Sequence, residues 1–538
     1  MIESYPTIGE ECELTGPFGS RRLTYADHTA SGRAVARIED AIRRWVLPWY
    51  ANTHSDMSET GRRTTHLRED ARRVIREVVG GNDAEHAVIF TGSGATSAVD
   101  KLMRILGLHV VSDLDRRLGL HAAPTSEVPV VFVGPREHHS NEVPWRESIA
   151  EVVRIREDAA GHVDLAQLAR ELARHADRTL RIGAFSAGSN VTGALTDVDA
   201  VSEVLHRHGA LACWDFAAAG PHREVAMTGT PGRPLSYRDA VFLSPHKFLG
   251  GPGTPGVLVV RHDLVRNEVP TVPGGGTVDY VHPQSRLYVD DHAQREEGGT
   301  PAIIESIRAG LVFQLTRDIG LDVIRARETP RVRRAIDTWR RNPAIEILGD
   351  LDADRLPIVS FLVRTPEGRL VHHNLIVALL NDVFGIQSRG GCSCAAPYGH
   401  DLLHIDDQES TEYARLAAAG LLGLRPGWTR VTLGFDLSQE ATDFVIAAVD
   451  LVATHGWRLL PFYRFETATG RWVHRDAVPL SAGIADLLDL PASPTPVPVP
   501  ARYAGYLEEA LRIFAAAPEP GPVTGSGPAD RLHRLGLT

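Results

Sequence analysis

Lysine is almost missing from this chain of 538 residues. Of its 57 basic residues only Lys101 and Lys247 are lysines; all the others are arginines. Arg cannot give up its proton, whereas a lysine amine can do so and attack a carbonyl. A lysine kept in such a background is therefore either incidental or chemical. Cysteine is scarce too. Four in the whole chain are too few for a disulfide framework, which makes a reducing cytoplasm the expected setting. Excess positive charge is absent: the formal charge is −11, which argues against nucleic acid or an acidic membrane as partner. No apolar run is long enough to span a bilayer, and Met1-Ile2-Glu3-Ser4 lacks the basic and apolar regions of a signal peptide. What remains is an ordinary globular composition, 43% hydrophobic and 23% charged, in a chain too long for a single core.

Apolar strand candidates occur at Ala87–Phe90, Val128–Gly134, Val152–Ile155, Ile182–Ser186, Ala210–Phe216, Ala240–Leu243 and Gly256–Val260. Helical patterns at Ala95–Leu106, Leu165–His175 and Val198–Arg207 fall between several of them. This alternation predicts an α/β fold with a mainly parallel seven-stranded sheet covered on both faces. A long helical region at Pro301–Arg341, with a break expected at Pro330, leads to a smaller α/β domain. Its expected strands are Ile358–Val363, Val383–Ser388 and Thr429–Gly434, its helices Leu370–Leu380 and Gln439–Thr454. Trp457–Val473 reads as a hairpin turning at Gly470. The Pro-rich run 491–500 reads as a linker before a short helix at Tyr503–Ala516, and 113–127 as a loop insertion. The regions are thus an N-terminal segment 1–33, a large domain 34–310, a small domain 311–478 and a Pro/Ala-rich extension 479–538.

On sheets of this kind ligands bind at the carboxyl ends of strands. The first strand ends in Thr91-Gly92-Ser93-Gly94-Ala95-Thr96, whose glycines and helix-start amides suit an anion. The second ends in Glu137-His138-His139-Ser140-Asn141, a place for an imidazole to stack on a planar ring. Ser189-Asn190 offers an amide. Trp214-Asp215 ends the next strand in a carboxylate that is costly to bury without a partner such as a protonated pyridine nitrogen. Ser244-Pro245-His246-Lys247 adds a primary amine ahead of Gly250-Gly251. Lys101 has no such surroundings and reads as a surface residue. Anion cup, imidazole, amide, carboxylate and amine in that order point to pyridoxal 5′-phosphate.

From Tyr25 to Ala453 the sequence resembles the class V aminotransferase superfamily, specifically its cysteine desulfurase and selenocysteine lyase branch. The resemblance rests on Glu-His-His-Ser-Asn-Glu-Val-Pro-Trp (137–145), Ser-Pro-His-Lys (244–247), Gly-Gly-Thr-Pro (298–301) and Arg-Gly-Gly-Cys-Ser-Cys-Ala-Ala-Pro (389–397). It implies the fold of type I pyridoxal-phosphate enzymes, with Lys247 as covalent anchor, Asp215 on the ring nitrogen and His138 stacked on the ring as a catalytic residue. Ala95, Thr96, Ser244 and His246 would bind the phosphate, and Asn190 the cofactor or substrate. Thr300 matches a threonine that reaches the partner subunit's phosphate, which implies a homodimer. Arg389 would clamp the substrate carboxylate, and Cys394 would take sulfur from L-cysteine as a persulfide, releasing alanine. A sulfur-acceptor protein is an optional partner.

Three features depart from that pattern or stand outside it. The position three past Asp215 is Ala218, where the family's desulfurases carry a glutamine, with His222 a conceivable substitute. Cys392 adds a second thiol that could resolve a persulfide on Cys394. Cys392 and Cys394 with His400 and His404 are also permissible zinc ligands, but Cys-x-Cys is a poor chelating spacing and no metal is expected. The alternative reading keeps the cofactor and changes the reaction to a C–S lyase, aminotransferase or epimerase on another amino acid. A non-catalytic scaffold is a third reading, disfavoured by the complete Lys, Asp and His set.

Overall fold

The computed structural model describes residues 5–110, 113, 116–117, 125–477, 483–488 and 502–518. The Pro-rich run 491–500, the tail after 518 and most of the 113–127 insertion lie outside them. The chain divides into two compact units. The first comprises Met1–Pro6, Thr29–Asn190 and Ala194–Arg325; the second comprises Thr7–His28, Val191–Gly193 and Ala326–Thr538. The division near 325 falls later than the expected 310/311 boundary.

The first unit is built on seven strands: β1 (His86–Thr91), β2 (Val130–Val133), β3 (Glu151–Arg154), β4 (Arg181–Ser186), β5 (Leu211–Asp215), β6 (Ala240–Leu243) and β7 (Gly256–Arg261). Their order is β1-β7-β6-β5-β4-β2-β3. All pairs are parallel except those of β7, which is antiparallel to β1 and to β6. Two reversals cancel, so β1 points the same way as β6, and the carboxyl ends of β1, β2, β4, β5 and β6 share one edge. The central strands are near-continuous apolar runs. Val130 through Val133 are fully buried, as a sheet covered on both faces requires.

Helices α1 (Glu59–Val78), α2 (Gly94–Ile105), α3 (Leu165–Arg174), α4 (Val198–Arg207) and α5 (Ile303–Ile319) belong to this unit. Ser58, Asp164 and Asp197 cap α1, α3 and α4 through backbone amides of their first turns, which removes otherwise unsatisfied donors. At Gly310 in α5 a Cβ would sit 2.4 Å from the Cβ of Ala71 in α1, so a glycine is what lets these two helices approach.

The break in the 301–341 helical region falls at Gly320, not at Pro330. Gly320 adopts φ +86 between α5 and α6 (Leu321–Trp339), whereas Pro330 lies inside α6. The second unit carries an antiparallel sheet ordered β8 (Ile345–Ile347), β9 (Ile358–Arg364), β11 (Trp428–Thr432), β10 (Arg389–Gly391). The expected strand at 383–388 is replaced: α7 (His373–Phe384) runs on to Phe384, and only Ile386–Gln387 is extended, pairing with Thr24–Tyr25. Contrary to the sequence expectation that no run is long enough, helix α8 (Gln439–His455) and the turns after it form a segment, Gln439–Phe462, that is long and apolar enough to cross a membrane by composition. Here it is a core helix, with Phe444, Val445, Ala448, Val449 and Val452 buried.

The hairpin Tyr463–Glu466 with Arg471–His474 turns at Gly470 (φ +75) and is pinned by Trp472 Nε1–H donating to His372 Nδ1 at 3.1 Å. Helix α9 (Tyr503–Ala516) joins the same core through Tyr506, Ala510 and Phe514. Tyr503 stacks on Phe444 at 4.5 Å, and Arg21 pairs with Glu509 at 3.2 Å. Part of the extension is thus integral to the second unit.

Candidate active site

In the first unit the loop after β1 turns into α2 through Gly94, whose φ of +56 suits glycine. A Cβ at Gly94 would come within 2.7 Å of His246 Cε1 and 2.8 Å of Ser244 Oγ. The Ala95 N–H donates to Ser244 Oγ at 2.9 Å, and the hydroxyls of Thr96 and Ser140 are 2.7 Å apart. His138 Nδ1 accepts from the Ser140 N–H at 3.1 Å, which leaves the ring proton on Nε2. Hydroxyls, an imidazole and the start of a twelve-residue helix therefore converge, a donor set suited to phosphate. Ser140 was not singled out in the sequence, although it follows His138 and His139 directly. Ser189 and Asn190, just past β4, are both buried.

Lys247 ends a single 3₁₀ turn, Pro245–Lys247, that follows β6. The turn is clamped from behind: the Gly32 N–H donates to His246 O at 2.8 Å, and the Gly250 N–H to Arg33 O at 2.7 Å. A Cβ on Gly32 would lie 1.9 Å from Phe248 O, so the backbone contact admits nothing larger. Burial and the neighbouring Lys247 pull the His246 pKa down to about 4, so its ring is neutral at pH 7. Asp215 is buried and its pKa is raised by that burial, although Lys247 acts in the opposite direction. Its Oδ1 accepts from the Ala217 N–H at 2.8 Å; its Oδ2 accepts no hydrogen bond among the described residues. A buried carboxylate with one oxygen uncommitted is what a cationic ring nitrogen would satisfy. These residues fit a phosphorylated pyridine aldehyde. Position 218 is a buried alanine and supplies no side-chain donor.

Glu137 was missed as a separate functional group. It is buried, accepts from the Ser186 N–H at 2.8 Å and Ser186 Oγ–H at 2.6 Å, and takes an Asn141 amide N–H at 2.6 Å. It thereby ties the His138 loop to the end of β4. Burial pushes its pKa up to about 8, with the Asp215 charge adding to the rise against those hydrogen bonds. Between 4.5, its ordinary value, and about 8 the folded protein holds a proton that the unfolded chain has lost. Stability therefore falls as pH rises through that window, by at most ~1.4 kcal/mol per unit. In thermal unfolding from pH 5 to pH 8 we expect Glu137→Gln to lack this slope and to gain roughly 2–4 kcal/mol on the parent protein across the window. Parallel slopes would remove Glu137 as the titrating group.

In the second unit Asp27 joins two arginines. Arg389 Nε donates to Asp27 Oδ2 at 3.0 Å and Arg430 Nη2 to Oδ1 at 3.0 Å. Arg430 is buried, whereas the Arg389 side chain is 51% exposed and its terminal nitrogens have no partner among the described residues. Its two-pronged edge is thus open to a carboxylate. Asp27 lies more than 360 residues away in sequence, and nothing local marks it. Cys394 is exposed and Cys392 partly buried. Residues Cys392 to Ala395 form a turn closed by the Ala395 N–H on Cys392 O at 3.1 Å, with Ser393 at φ 51 and Cys394 at φ 54. Two consecutive left-handed residues are the pattern of a type I′ turn, normally Asn-Gly; with Ser-Cys it holds roughly 1–2 kcal/mol of strain per residue. Arg430 lies within electrostatic reach of Cys394. His400 engages Ala396 O at 2.6 Å and Ser410 Oγ at 2.9 Å with its two ring nitrogens, so neither is open to a metal.

Thr300 is exposed and receives an Asn52 amide N–H at 3.4 Å. It lines a cavity of about 500 Å³ with Arg68, Lys101 and Glu297, among others. Lys101 corrects the sequence reading: it is buried, and its Nζ donates to Thr271 Oγ1 at 2.7 Å and Glu296 O at 2.8 Å. Burial works to raise the Glu297 carboxyl, but Arg72 and Arg68 outweigh it and hold it below the usual range. Glu297 also takes the Phe90 N–H at 2.6 Å, fixing the start of the Gly298-Gly299-Thr300 loop to β1.

The family model described as Aminotransferase class-V matches residues 24–409. A protein named "Probable cysteine desulfurase" from Halobacterium salinarum is 28% identical over 436 residues, covering 80% of this chain and 92% of its own. "Probable cysteine desulfurase 2" from Mycobacterium leprae is 28% identical over 386 residues, covering 70% and 84%. Among solved structures, the apo cysteine desulfurase of Thermococcus onnurineus superposes with a TM-score of 0.64 at 21% identity, covering 80% of this chain and 94% of that one. A cysteine desulfurase from Escherichia coli gives 0.60 at 21% identity, again over 80% and 94%.

Proposed function

The chain belongs to the class V aminotransferase family, and we propose that it is a pyridoxal-phosphate enzyme that removes sulfur from L-cysteine and releases alanine. The observation that carries this reading is Cys394, exposed in a left-handed turn within electrostatic reach of the Arg430 guanidinium that Asp27 pairs with Arg389. When bound, the cofactor supplies an electron sink for charge developing at the substrate α-carbon. We assign Lys247 as the residue that would anchor it covalently and whose amine would move the substrate α-proton. Asp215 would keep the ring nitrogen protonated, His138 would cover the ring, and Ala95, Thr96, Ser244 and His246 would hold the phosphate, with Asn190 assigned to the cofactor or the substrate. Arg389 orients the substrate carboxylate. The Cys394 thiolate takes the sulfur: enzyme thiol plus cysteine becomes enzyme persulfide plus alanine.

We further propose that the enzyme works in the cytoplasm as a homodimer in which Thr300 of one copy serves the phosphate site of the other, with a protein thiol as an optional sulfur acceptor. Thr300 is exposed, and its loop is joined through the Gly299 N–H to Gly275 O. The nearby Val278–Tyr288 hairpin shows Tyr280, Val281 and Leu287 to solvent, each about 60% exposed. An alternative, favoured by Ala218, is a C–S lyase, aminotransferase or epimerase acting on another amino acid. A panel of amino acids added to the purified protein while its visible cofactor band is followed decides between them. L-cysteine is expected to shift the band and to yield alanine in an amount equal to the sulfur removed, counted as sulfane sulfur plus sulfide; a shift with a different amino acid alone would overturn the substrate assignment.

A further inference from the structure

The proposed sulfur acceptor sits one residue from a second thiol, and the turn that carries both brings them close. With Ser393 left-handed, the Cα atoms of Cys392 and Cys394 stand ~5.4 Å apart by helix parameters. That is inside the roughly 4.4–6.8 Å that a disulfide spans, whereas an extended Ser393 would set them near ~6.8 Å. The Ala395 N–H bond to Cys392 O, at 3.1 Å, holds the turn closed. Cys392 is partly buried against the cluster of Val191, Leu348, Leu362, Tyr398 and Trp428, while Cys394 faces solvent. One thiol is thus held in place and its neighbour is presented outward. A strained turn that a more ordinary sequence would avoid, with thiols at its first and third positions, suits an internal thiol exchange.

We propose that Cys392 is a resolving thiol for Cys394, an inference that rests on the persulfide reading above. The Cys392 thiolate attacks the Cys394 sulfur of the persulfide and hydrosulfide leaves. The new bond is Cys392–Cys394; the bond broken is the one to the sulfane sulfur. Two thiol sulfurs are oxidised by two electrons in all, the sulfane sulfur is reduced to sulfide, and the Cys392 proton passes to solvent. A small-molecule or protein dithiol reductant then restores both thiols. The product is free sulfide rather than a sulfur atom handed to a partner's thiol, so the consuming reaction is of the class that takes inorganic sulfide.

The test uses full-length, cofactor-loaded protein and Cys392→Ser, both freed of reductant. One arm receives L-cysteine; the other receives inorganic polysulfide, which can load Cys394 without turnover. After alkylation, the peptide holding residues 389–397 is read by mass spectrometry and sulfide is measured. Parent protein is expected to show the internal disulfide, about 2 Da lighter than the dithiol, with one sulfide released for each. Cys392→Ser should keep the sulfane sulfur on Cys394, about 32 Da heavier, and release at least ~10-fold less sulfide. A lasting persulfide on Cys394 of the parent protein, with no disulfide in the polysulfide arm, overturns the inference whatever the substrate. If polysulfide gives the disulfide and L-cysteine gives neither product, the substrate assignment falls and the resolving chemistry stands.

Discussion

Replacing Lys247 by alanine is expected to abolish the covalent cofactor band and to lower turnover by about 10³-fold or more, the scale on which a missing nucleophile and proton carrier is felt. The proposed phosphate cup should survive the change. Its groups come from other places: the start of α2, the His138–Ser140 loop, and Ser244 with His246 ahead of the lysine. The variant is therefore expected to retain added pyridoxal phosphate by equilibrium dialysis while lacking any reducible covalent adduct. The Lys247 backbone N–H, which donates to Ser244 O at 3.0 Å, is unaltered, so unfolding should move little. If borohydride still fixes cofactor to the alanine variant, the anchor lies elsewhere; with Lys101 buried and committed to Thr271 and Glu296, the chain offers no second lysine in a comparable position.

Cys394→Ala is expected to reduce sulfide and alanine formation from L-cysteine at least ~100-fold while leaving the cofactor band intact, because the sulfur would lose its acceptor and the cofactor would lose nothing. The same substitution separates the rival reactions. A C–S lyase or an aminotransferase needs no thiol, and undiminished product from the variant would favour one of them and sink the persulfide route. Alanine at 394 still meets a left-handed backbone, so the turn keeps most of its strain, and stability should change by well under ~1 kcal/mol.

The large unit was legible because its signals are local. Seven apolar runs became seven strands, and their ends carried residues whose chemistry could be matched group by group. What the sequence hid came from distance or from competition between signals. Asp27 organises Arg389 and Arg430 from the far end of the chain, and no periodicity points to it. Lys101 carries the same residue type as Lys247, but its burial follows from Glu296 and Thr271, nearly two hundred residues later. Pro330 looked like a helix breaker, yet α6 accommodates it, and the real break is the glycine at 320, where φ is positive. The left-handed turn at Ser393 and Cys394 was equally hidden, since neither residue favours that conformation.

Glu137, Ser140 and Glu297 were passed over for a different reason. Each stands beside a residue with more obvious chemistry, and its own part is to hold that neighbour's loop in place. Their hydrogen bonds to Ser186, Thr96 and Phe90 exist only once strands far apart in sequence have been laid side by side.

The burial of Lys101 also bears on how this protein can be marked by other agents. Acylation, glycation and the attachment of small protein tags all begin at a lysine amine. With one of the two lysines enclosed, such chemistry has a single internal target, and that target is Lys247. With Lys247 as the proposed anchor, a covalent mark placed on the side chains by these routes would compete directly with that cofactor instead of decorating a neutral surface, and an amine-directed reagent would gauge how many copies carry it.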